Sequence, residues 1–480
     1  MKIEENNIQS VYFLGIGGIG MSALARYFHS RGYRVGGYDR TPSALTRQLE
    51  KEGMEIIYED DTRLIPEWAM QSAYCLIVRT PAVPADTAVY QWFTANDFDI
   101  RKRAEVLGLV TRQKHALCVA GTHGKTTTST LLAHLMYQSE HGANAFLGGI
   151  SVNYNTNLLL DKQSDFVVVE ADEYDRSFHH LTPYISIITS VDADHLDIYG
   201  TAEAYRESFE HYSSLITSAF VVKYGADMTP RPGKNVKGYT YCGSLKDCAA
   251  YAEGQEKPDF YAQNIRVQNG DILFDFVTPT ETIADIKLGV PVWVNIENSV
   301  AAMAVAWLCG LSADELRMGV ASFRGVQRRF NIHVKTDKVV YVDDYAHHPT
   351  ELAASIESIR RVYPERHLIG VFQPHLYTRT RDFADDFRRV LHQVEELILL
   401  PIYPARELPI EGVTAEILLN GENGDASLNG GYSEMVIEKS ELVAHLKKRV
   451  AEIEKPVVIM TLGAGDIDRL VEEISVECKV

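Results

Sequence analysis

The sequence predicts an α/β protein of three domains, and three observations lead to that fold class. Apolar runs of strand length alternate with helical patterns along most of the chain. Two of the turns between a strand and a helix are rich in glycine, one at 15–20 and one at 121–124. The chain has 480 residues, which corresponds to roughly three domains of ordinary size.

Composition and charge describe a globular protein and exclude several classes of partner. Hydrophobic residues make up 46% of the chain and charged residues 23%, as in proteins with well-packed cores. The net charge of −18 argues against binding to nucleic acid or to an anionic membrane surface. The six cysteines show no CxxC pair and no metal-ligand spacing. A polar N-terminus and the lack of an apolar run near about 20 residues predict a cytoplasmic protein.

The N-terminal domain is predicted over residues 1–112 and begins with a glycine-rich turn. Residues 11–14 form the predicted strand before this turn, and a helix runs from it to about Ser30. The next predicted strand ends at Asp39, roughly 20 residues further on. A Gly-x-Gly-x-x-Gly turn with such an acidic residue is typical of Rossmann-like domains that bind dinucleotides. The glycines concerned are Gly15, Gly17, Gly18 and Gly20.

The central domain, predicted over residues 113–324, begins with the second glycine-rich turn. Residues 116–120 form a predicted buried strand and 129–137 a predicted helix, with GTHGKTTT between them. Backbone N–H groups and the helix dipole at such a turn attract phosphate groups. Lys125 can reach the terminal phosphates, and the Thr126 hydroxyl can hold Mg²⁺. The sequence therefore predicts an ATP site, although Val119 replaces the first glycine of the standard phosphate-loop pattern.

Polar side chains follow two further strands of the predicted central sheet, at 166–170 and 185–190. They are Glu170 and Glu173 after the first strand, and Asp194, His195 and Asp197 after the second. Ligands bind at the carboxyl ends of parallel strands, and Mg²⁺ prefers oxygen ligands. These residues predict a metal site near the phosphate loop, where His195 would be a metal ligand or a base. The prediction is clearer for Glu170 than for Glu173.

The remainder of the central domain contains two predicted helices and a β-rich insertion. The helices are predicted at 201–216 and 295–309, and the insertion at 225–290. Asn295 and Asn298 lie one helical turn apart, so their amides project from one face. Such amides suit an adenine edge or a metal-bound water, and the alternative is that they cap the helix.

The C-terminal domain is predicted over residues 325–480 as a second Rossmann-like unit. Its first strand follows RRF at 328–330 and precedes DDYAHHPTE at 343–351. The next strand is followed by QPHLYTRTR at 373–381. A plain strand-to-helix turn does not require so many polar residues, so these segments indicate a functional site. The strands are predicted at 339–342, 368–372, 397–400 and 457–460.

Together these segments resemble the bacterial Mur ligase family over nearly the whole chain. The resemblance is carried by GTHGKTT, by EADE before DADHLD, by the Asn295–Asn298 pair, and by RRF, DDYAHHPTE and QPHLYTRTR. It implies a UDP-sugar-binding domain, an ATPase domain and a C-terminal domain that closes over the site. The GIGGIGM start and the HHPTE and QPH segments resemble the alanine-adding branch of the family.

The resemblance also implies a reaction, cofactors and partners. L-alanine would be joined to the carboxylate of UDP-N-acetylmuramate, a peptidoglycan precursor, with ATP and two Mg²⁺ ions as cofactors. ATP would first convert this carboxylate into an acyl phosphate, because a carboxylate is a poor electrophile until phosphate becomes its leaving group. Lys125 and the metals would offset the charge on the transferring group. The implied partners are these small molecules, without nucleic acid or membrane, and the protein would be a monomer or weak homodimer.

The residues and the resemblance together assign roles to individual positions. The catalytic residues would be Lys125, Glu170, His195 and Arg329, and the metal ligands Thr126, Glu170 and His195. The ATP-binding residues would be Gly121, Thr122, His123, Gly124, Lys125, Thr126, Thr127, Asn295, Asn298, Arg329 and Asp344. The UDP-sugar-binding residues would be Gly15, Gly17, Gly18, Gly20, Asp39, Thr80 and Arg103. The amino-acid-binding residues would be Tyr345, His375 and Arg379.

The sequence departs from the family pattern at two positions. Val294 stands where a histidine usually precedes the asparagine pair, and Leu376 where an arginine usually follows QPH. In addition, no lysine lies between His195 and Lys223. We therefore expect no counterpart of the carbamylated lysine that bridges the metals in several sister ligases.

Three other functions compete with this interpretation. A nicotinamide-dependent oxidoreductase would use residues 15–20 and Asp39, but it leaves the phosphate loop and His195 unexplained. A ligase that attaches a preformed tripeptide to the same UDP-sugar during wall recycling would share most of these segments. A non-enzymatic nucleotide-binding scaffold would not need so many polar groups at strand ends.

Overall fold

The computed structural model of the chain describes residues 8–268, 270–405, 407–419 and 433–479, without the side chain of Asp197. Within these ranges no helix is long and apolar enough to cross a membrane. The described residues group into two compact units. Counting only these residues, the first comprises 8–263, Asp275–Ile286 and Glu297–Phe323, and the second comprises those within 264–274, Lys287–Ile296 and 324–479.

The first unit begins with a parallel sheet of the Rossmann type. Its elements are β1 (Ser10–Leu14), α1 (Ile19–Ser30), β2 (Arg34–Tyr38), α2 (Ala44–Lys51), β3 (Glu55–Ile57), β4 (Cys75–Arg79), α3 (Ala88–Ala95), β5 (Ile100–Lys102) and α4 (Arg103–Thr111). The strand order is β3-β2-β1-β4-β5, with all neighbours parallel. All five residues of β1 are buried, as expected for a central strand that is covered on both faces.

The phosphate-loop region is built on a larger, mainly parallel sheet. Its elements are β6 (His115–Ala120), α5 (Lys125–Gln138), β7 (Asn144–Ser151), β8 (Thr156–Leu159), β9 (Phe166–Glu170), β10 (Pro183–Ile188), α6 (Leu196–Tyr199), α7 (Ala202–Ser213), β11 (Ala219–Lys223), β12 (Lys237–Ser244), β13 (Phe260–Gln268), β14 (Asp271–Val277), β15 (Thr282–Lys287), α8 (Val294–Leu308) and α9 (Ala313–Ser322). The strand order is β15-β14-β13-β12-β11-β10-β6-β9-β7-β8. Strands β12 to β15 fall within the segment predicted to be β-rich. Strands β7 and β8 form an antiparallel hairpin. The sequence pattern did not predict this hairpin, because Gly148 and Gly149 interrupt the apolar run of β7.

The ends of several elements differ from the sequence prediction. Helix α5 begins at Lys125, four residues earlier than 129, because Gly124 adopts a left-handed φ of 80° and lets the helix start directly after the turn. Strand β10 ends at Ile188 and not at 190. Thr189 and Ser190 leave the sheet because they bind the phosphate loop.

The two sheets of the first unit share one hydrophobic core. It extends from Val11 in β1 to Val222 in β11 and includes residues of α1, α4, β6 and β9. The rings of Tyr27 in α1 and Phe146 in β7 lie 5.3 Å apart and are part of this contact. Arg26 adds polar contacts, since its guanidinium donates to Glu52 and, at 2.7 Å, to the buried Asn157 side chain of β8. The N-terminal and phosphate-loop sheets are therefore packed as one body.

The second unit contains a six-stranded sheet among its described residues. Its elements are β16 (Asn331–Lys335), β17 (Val339–Asp344), α10 (Pro349–Val362), β18 (His367–Phe372), α11 (Tyr377–Asp382), α12 (Ala384–Leu391), β19 (Glu396–Leu399), β20 (Ser433–Val436), α13 (Lys439–Glu452), β21 (Val457–Leu462) and α14 (Val471–Glu477). The strand order is β16-β17-β21-β18-β19-β20, and only the β16–β17 pair among them is antiparallel. The four predicted strands are present, whereas β16 and β20 were not predicted because their patterns are short and polar.

A buried carboxyl group lies in the middle of this sheet. Asp343 of β17 is 2% exposed, and its Oδ1 accepts a hydrogen bond from the Thr461 hydroxyl at 2.9 Å. Tyr341 contacts the same hydroxyl at 3.0 Å. Burial raises the pKa of Asp343 from 3.8 to about 6, although Thr461 and Arg328 oppose this increase.

This shift predicts a pH-dependent contribution to stability. Between about pH 4 and pH 6 the unfolded chain releases the Asp343 proton while the folded protein retains it, so stability falls as pH rises. The loss for a shift of this size is about 2–3 kcal/mol. The Asp343→Asn variant does not undergo this loss. The difference in Tm, variant minus wild type, should therefore grow by several degrees between pH 4 and pH 8. The exposed Asp337→Asn serves as the control, and a pH-independent difference for Asp343→Asn would contradict the prediction.

Candidate active site

Two glycines allow the phosphate loop to lie close to its neighbours. A Cβ atom at Gly121, whose φ is 130°, would lie 2.0 Å from the Thr189 hydroxyl oxygen. A Cβ atom at Gly124 would lie 2.8 Å from Oδ1 of Asn298. Any other residue at either position would displace the loop from the ends of β10 and α8.

Hydrogen bonds fix the loop between these two glycines. The backbone N–H groups of Thr122 and His123 donate to the carbonyl and the hydroxyl of Ser190, both at 3.1 Å. The Thr122 hydroxyl donates to the Asp192 carbonyl at 2.8 Å and contacts Tyr205 Oη at 2.9 Å. The loop is therefore held in one conformation before α5 begins.

Lys125, the first residue of α5, is folded back onto its own loop. Its ammonium donates to the carbonyls of Gly121 at 2.6 Å and Thr122 at 3.2 Å, and to Glu173 Oε1 at 2.8 Å. An ammonium has three N–H donors, so all of them are used. The side chain is 14% exposed.

Glu173 is the carboxylate that pairs with Lys125, and its side chain is 2% exposed. Burial raises the pKa of Glu173, and the ammonium of Lys125 opposes this increase. Within the described chain, Oε2 of Glu173 is buried and has no hydrogen-bond partner. The sequence prediction placed Glu173 at the metal site less clearly than Glu170, and it did not include the pairing with Lys125.

Thr126 and Glu170 lie side by side at the ends of α5 and β9. The Thr126 hydroxyl donates to Glu170 Oε1 at 3.0 Å. A Cβ atom at Gly148 of β7 would lie 2.0 Å from Glu170 Oε2, so the backbone of β7 closes one side of this carboxylate. The structure thus brings together two of the three predicted metal ligands, and Thr127 follows them in the same helical turn.

His195 lies on the other side of Glu173. It adopts a left-handed φ of 53°, and its Nε2 is 4.0 Å from Glu173 Oε1 and 3.8 Å from Asp194 Oδ2. The ring also meets Tyr174 edge-on, with centroids 5.2 Å apart. Among the described residues, no three His, Cys, Asp or Glu side chains form a ready-made metal site. The predicted flanking Asp197 side chain is outside the described part of the structure.

The predicted UDP-sugar residues gather around the β1–α1 turn. Asp39 Oδ2 accepts from the backbone N–H of Gly17 at 2.8 Å. A Cβ atom at Gly15 would lie 2.6 Å from Thr80 Cγ2, and one at Gly17 would lie 2.7 Å from Thr46 Cγ2. Gly15, Gly17, Thr80 and Asp39 therefore pack directly on one another.

Gly18 and Gly20 differ in their surroundings. Gly18 is exposed and would accommodate a Cβ atom, since the nearest protein atom would be 3.5 Å away. A Cβ atom at Gly20 would lie 2.7 Å from Nη1 of Arg103. Arg103 in turn donates from Nη2 to Asp172 Oδ2 at 2.9 Å. The two predicted sites of the first unit are thus linked by an ion pair.

A cavity of about 180 Å³ lies along this link. Its polar lining comes from Arg103, from Glu170 at the end of β9 and from Asp172 two residues later. Its apolar lining is Ile19, Ala23, Leu24, Leu107, Phe146 and Leu147. The cavity therefore reaches from Gly20, at the start of α1, to Glu170, which lies beside Thr126.

The two predicted asparagines lie inside α8, so neither of them is its cap. Asn298 contacts the phosphate loop, because it lies against Gly124 and its Oδ1 accepts from the Thr128 hydroxyl at 3.2 Å. Asn295 donates from Nδ2 to the Val290 carbonyl at 3.3 Å. Both side chains are 8% exposed.

In the second unit, Arg329, Asp344 and Tyr345 form one cluster. The guanidinium of Arg329 lies over the Tyr345 ring, 5.2 Å from its centroid. Asp344 is buried, and its carboxylate accepts from the Ser355 hydroxyl and from the backbone N–H of Phe330. Burial raises the pKa of Asp344, while Ser355 and Arg329 oppose this increase. Asp344 thus stabilises the turn at Phe330, whose φ is 52°.

His375 and Arg379 continue this cluster through His347. The rings of Tyr345 and His347 are 5.3 Å apart, and those of His347 and His375 are 6.1 Å apart. Arg379 donates from Nη1 to His375 Nδ1 at 3.4 Å. Burial lowers the pKa of His347, and Arg379 contributes in the same direction. The structure therefore brings together the predicted residues of the C-terminal domain, namely Arg329, Asp344, Tyr345, His375 and Arg379.

The sequence also allows a second interpretation of Arg379, in which it forms a surface ion pair with Asp382 or Asp385. In the structure Asp382 pairs with Arg381 at 2.7 Å, and Asp385 pairs with Arg388 at 2.6 Å. Leu376, at the usual arginine position, adopts a φ of 74° just before α11. Arg379 is half-buried beside His375 instead of pairing with these acids.

Three models of the Mur ligase family match this chain. The model for the Mur ligase family catalytic domain matches residues 10–115, the Mur ligase middle domain 119–306, and the Mur ligase glutamate ligase domain 328–465. The chain belongs to the Mur ligase family. Members of this family are ATP-using ligases that form amide bonds, and this chain is an enzyme of that class. Membership excludes the oxidoreductase and the non-enzymatic scaffold.

Similar Mur ligases share nearly the full length of the chain. The UDP-N-acetylmuramate–L-alanine ligase of Porphyromonas gingivalis is 52% identical over 466 residues, which is 97% of this chain and 98% of the relative. The protein of the same name from Parabacteroides distasonis is 53% identical over 477 residues, 99% of this chain and 98% of the relative.

Solved structures show the same fold. The UDP-N-acetylmuramate-alanine ligase of Thermotoga maritima is 25% identical with a TM-score of 0.77, covering 97% of this chain and 98% of the other. A murein peptide ligase from Psychrobacter arcticus is 19% identical with a TM-score of 0.63, covering 98% and 99%. The α/β three-domain fold predicted from the sequence is confirmed.

The Lys125–Glu173 pair leads to a prediction about ATP turnover. Lys125→Met combined with Glu173→Gln removes both charges of the buried pair and keeps side chains of similar length. We expect this variant to fold but to release ADP at least about 10²-fold more slowly, because a cation placed at a transferring phosphate contributes that much. ADP release, circular dichroism and thermal unfolding are measured together. Near-normal turnover in the folded variant would refute the ATP-site assignment.

Proposed function

We propose that this enzyme uses ATP to join L-alanine to the carboxylate of UDP-N-acetylmuramate, in the synthesis of peptidoglycan precursors. The cavity of about 180 Å³ is the observation that carries the proposal. It connects the β1–α1 turn, which suits a sugar-linked diphosphate, with Glu170 beside the phosphate loop. A substrate anchored at the turn can thus present a carboxylate near the terminal phosphate of ATP. The names of the relatives that share half of the sequence support the same reaction.

Residues of the first unit would bind and orient the two phosphate-containing substrates. The N–H groups of the loop and Lys125 would bind the phosphates of ATP, and Asn298 would position the loop. Arg103 would face the UDP-sugar substrate from the cavity wall. The apolar walls of the cavity would exclude water from the acyl phosphate, which water would otherwise hydrolyse.

The donor set at the strand ends fits Mg²⁺. Thr126 supplies a hydroxyl and Glu170 a carboxylate within hydrogen-bond distance of each other, and His195 lies across Glu173 from them. Mg²⁺ is usually held by one or two carboxylates together with substrate phosphates, so few protein ligands are needed. When bound, the ion would neutralise charge on the transferring phosphoryl group. We propose that Thr126 and Glu170 hold one Mg²⁺ ion and that His195 holds a second.

Residues of the second unit would recognise the amino acid. Alanine is a small zwitterion, so its site needs a cation for the carboxylate and little space beyond the methyl group. We propose Arg379 for the cation, with His375 orienting its guanidinium and Tyr345 nearby. Arg329 and Asp344 would contribute to the nucleotide side. The reaction is expected in the cytoplasm, and the protein as a monomer or weak homodimer.

One experiment tests the proposed reaction. ADP release is measured with UDP-N-acetylmuramate and ATP, and with L-alanine, L-serine, glycine or the cell-wall tripeptide as the acceptor amine. We expect the highest kcat/KM with L-alanine. Preferential turnover of the tripeptide would instead assign the recycling reaction of the murein peptide ligases.

Gly18 provides a test of the UDP-sugar site. Its φ of −65° and ψ of 143° suit valine, and its Cβ position has no protein atom closer than 3.5 Å. Gly18→Val should therefore leave Tm unchanged but weaken UDP-N-acetylmuramate binding at least about tenfold, because the added side chain covers the face of the turn. Gly233→Val, another exposed glycine with a free Cβ position, is the control for calorimetry. Equal affinities in both variants would contradict this site.

Arg379 provides a test of the alanine site. Arg379→Ala removes the proposed bidentate partner of the substrate carboxylate and should raise the KM for alanine at least about tenfold. The KM for ATP should change little. Arg381→Ala is the control, because Arg381 is exposed on the same helix and pairs with Asp382. An unchanged alanine KM in Arg379→Ala would refute the assignment.

A further inference from the structure

Glu173 combines burial with two unequal carboxylate oxygens. Oε1 accepts from Lys125 Nζ at 2.8 Å and lies 4.0 Å from Nε2 of His195. Oε2 is buried and has no hydrogen-bond partner within the described chain. Because a carboxylate offers about four acceptor positions, this group has unused acceptor capacity.

The backbone around Glu173 is held firmly, so the carboxylate stays in place. The Glu173 carbonyl accepts from the Tyr199 hydroxyl at 2.5 Å and from the Arg176 N–H at 2.9 Å. Asp175 and Arg176 both adopt left-handed backbone angles, with φ of 51° and 54°. Two such residues in a row persist only where the surrounding contacts determine the conformation. The Arg176 guanidinium over the Tyr199 ring is one of these contacts.

Lys125 cannot bind nucleotide phosphates while it keeps its present contacts. Its three N–H donors are directed to the carbonyls of Gly121 and Thr122 and to Glu173. A triphosphate in the loop must therefore replace at least one of them. If the Glu173 contact breaks, a buried carboxylate loses its counter-ion, which is strongly unfavourable unless another cation takes its place.

We propose that Glu173 exchanges Lys125 for a divalent cation when nucleotide binds, and that this cation is held jointly with His195. In the nucleotide-free enzyme Glu173 is then a positioning residue that keeps Lys125 on its loop. In the loaded enzyme it is a ligand of the second metal. The inference rests on the proposed function of residues 121–127 as the ATP loop. The number of cations around Glu173 is unchanged by the exchange.

The exchange predicts a gain of metal binding when Lys125 is removed. Lys125→Met leaves the Glu173 carboxylate available beside His195 without any nucleotide. Mn²⁺ alone is used as the probe, in electron paramagnetic resonance titrations of the full-length protein. Lys125→Met should bind Mn²⁺ at least about tenfold more tightly than the wild type, because its carboxylate no longer has a competing ammonium. Lys125→Met combined with Glu173→Gln should lose this gain.

The control is Lys125→Met combined with Asp194→Asn. Asp194 also lies near His195, at 3.8 Å, but it is exposed and has no contact with Lys125 in the described structure. This variant should keep the gain of Mn²⁺ binding. Thermal unfolding gives a second measurement, since Mn²⁺ should raise the Tm of Lys125→Met and not that of the Glu173→Gln double variant. Equal Mn²⁺ responses of these two variants would overturn the proposal.

A third measurement separates the exchange from a structural role of Glu173. In EDTA, Glu173→Gln should bind ATP more tightly than the wild type, because Lys125 is already released and a nearby negative charge is gone. With Mn²⁺ and a non-hydrolysable ATP analogue, the same variant should lose affinity for one of two metal ions. Weaker binding of ATP in both conditions would indicate a structural role and would overturn the proposal. Failure of the ATP-site assignment would appear separately, as absent nucleotide binding in the wild type.

Discussion

The close approach of β6 and β10 at Gly121 is the constraint on which the proposed nucleotide site depends. A Cβ atom there would lie 2.0 Å from the Thr189 hydroxyl, so the two strand ends can meet only if residue 121 has no side chain. Their contact lets Thr122 and His123 bind Ser190. Because the loop is fixed in this way, α5 starts at Lys125 and directs that residue toward Glu173. The chemistry of the site thus depends on a backbone contact.

In the structure, carboxylates of the protein itself neutralise two cationic side chains of the site. Lys125 pairs with Glu173, and Arg103 pairs with Asp172, the preceding residue in the chain. Two cations proposed for two different substrates are therefore held by neighbouring carboxylates of one short segment. A ligand must compete with these internal anions, which favours ligands of high negative charge over weakly charged analogues. The segment that holds the cations is also the one with two left-handed residues, Asp175 and Arg176.

Sequence patterns predicted the fold class and the strands that carry the site, because buried parallel strands are apolar throughout and glycine turns are distinctive. They did not predict β7 and β8, since Gly148 and Gly149 look like a loop, although Gly148 lies directly against Glu170. They also did not reveal that Lys125 pairs with Glu173, 48 residues away in the chain. Such a pairing depends on how strands are ordered in the sheet. The substrate roles of the second-unit residues came from family resemblance and stay predictions.

The core shared by the first two sheets has a consequence for how the protein folds during synthesis. Helix α1 packs against β7 and β8 in this core, so it cannot be fully covered until β8 has left the ribosome. Translation at about 5–20 residues per second leaves the faces of Tyr27 and Phe28 exposed for on the order of ten seconds. The nascent N-terminal sheet is therefore expected to need protection by chaperones until the second sheet is complete. If the N-terminal sheet were replaced by that of a homologue, the surface of β7 and β8 on which it packs would have to be replaced as well.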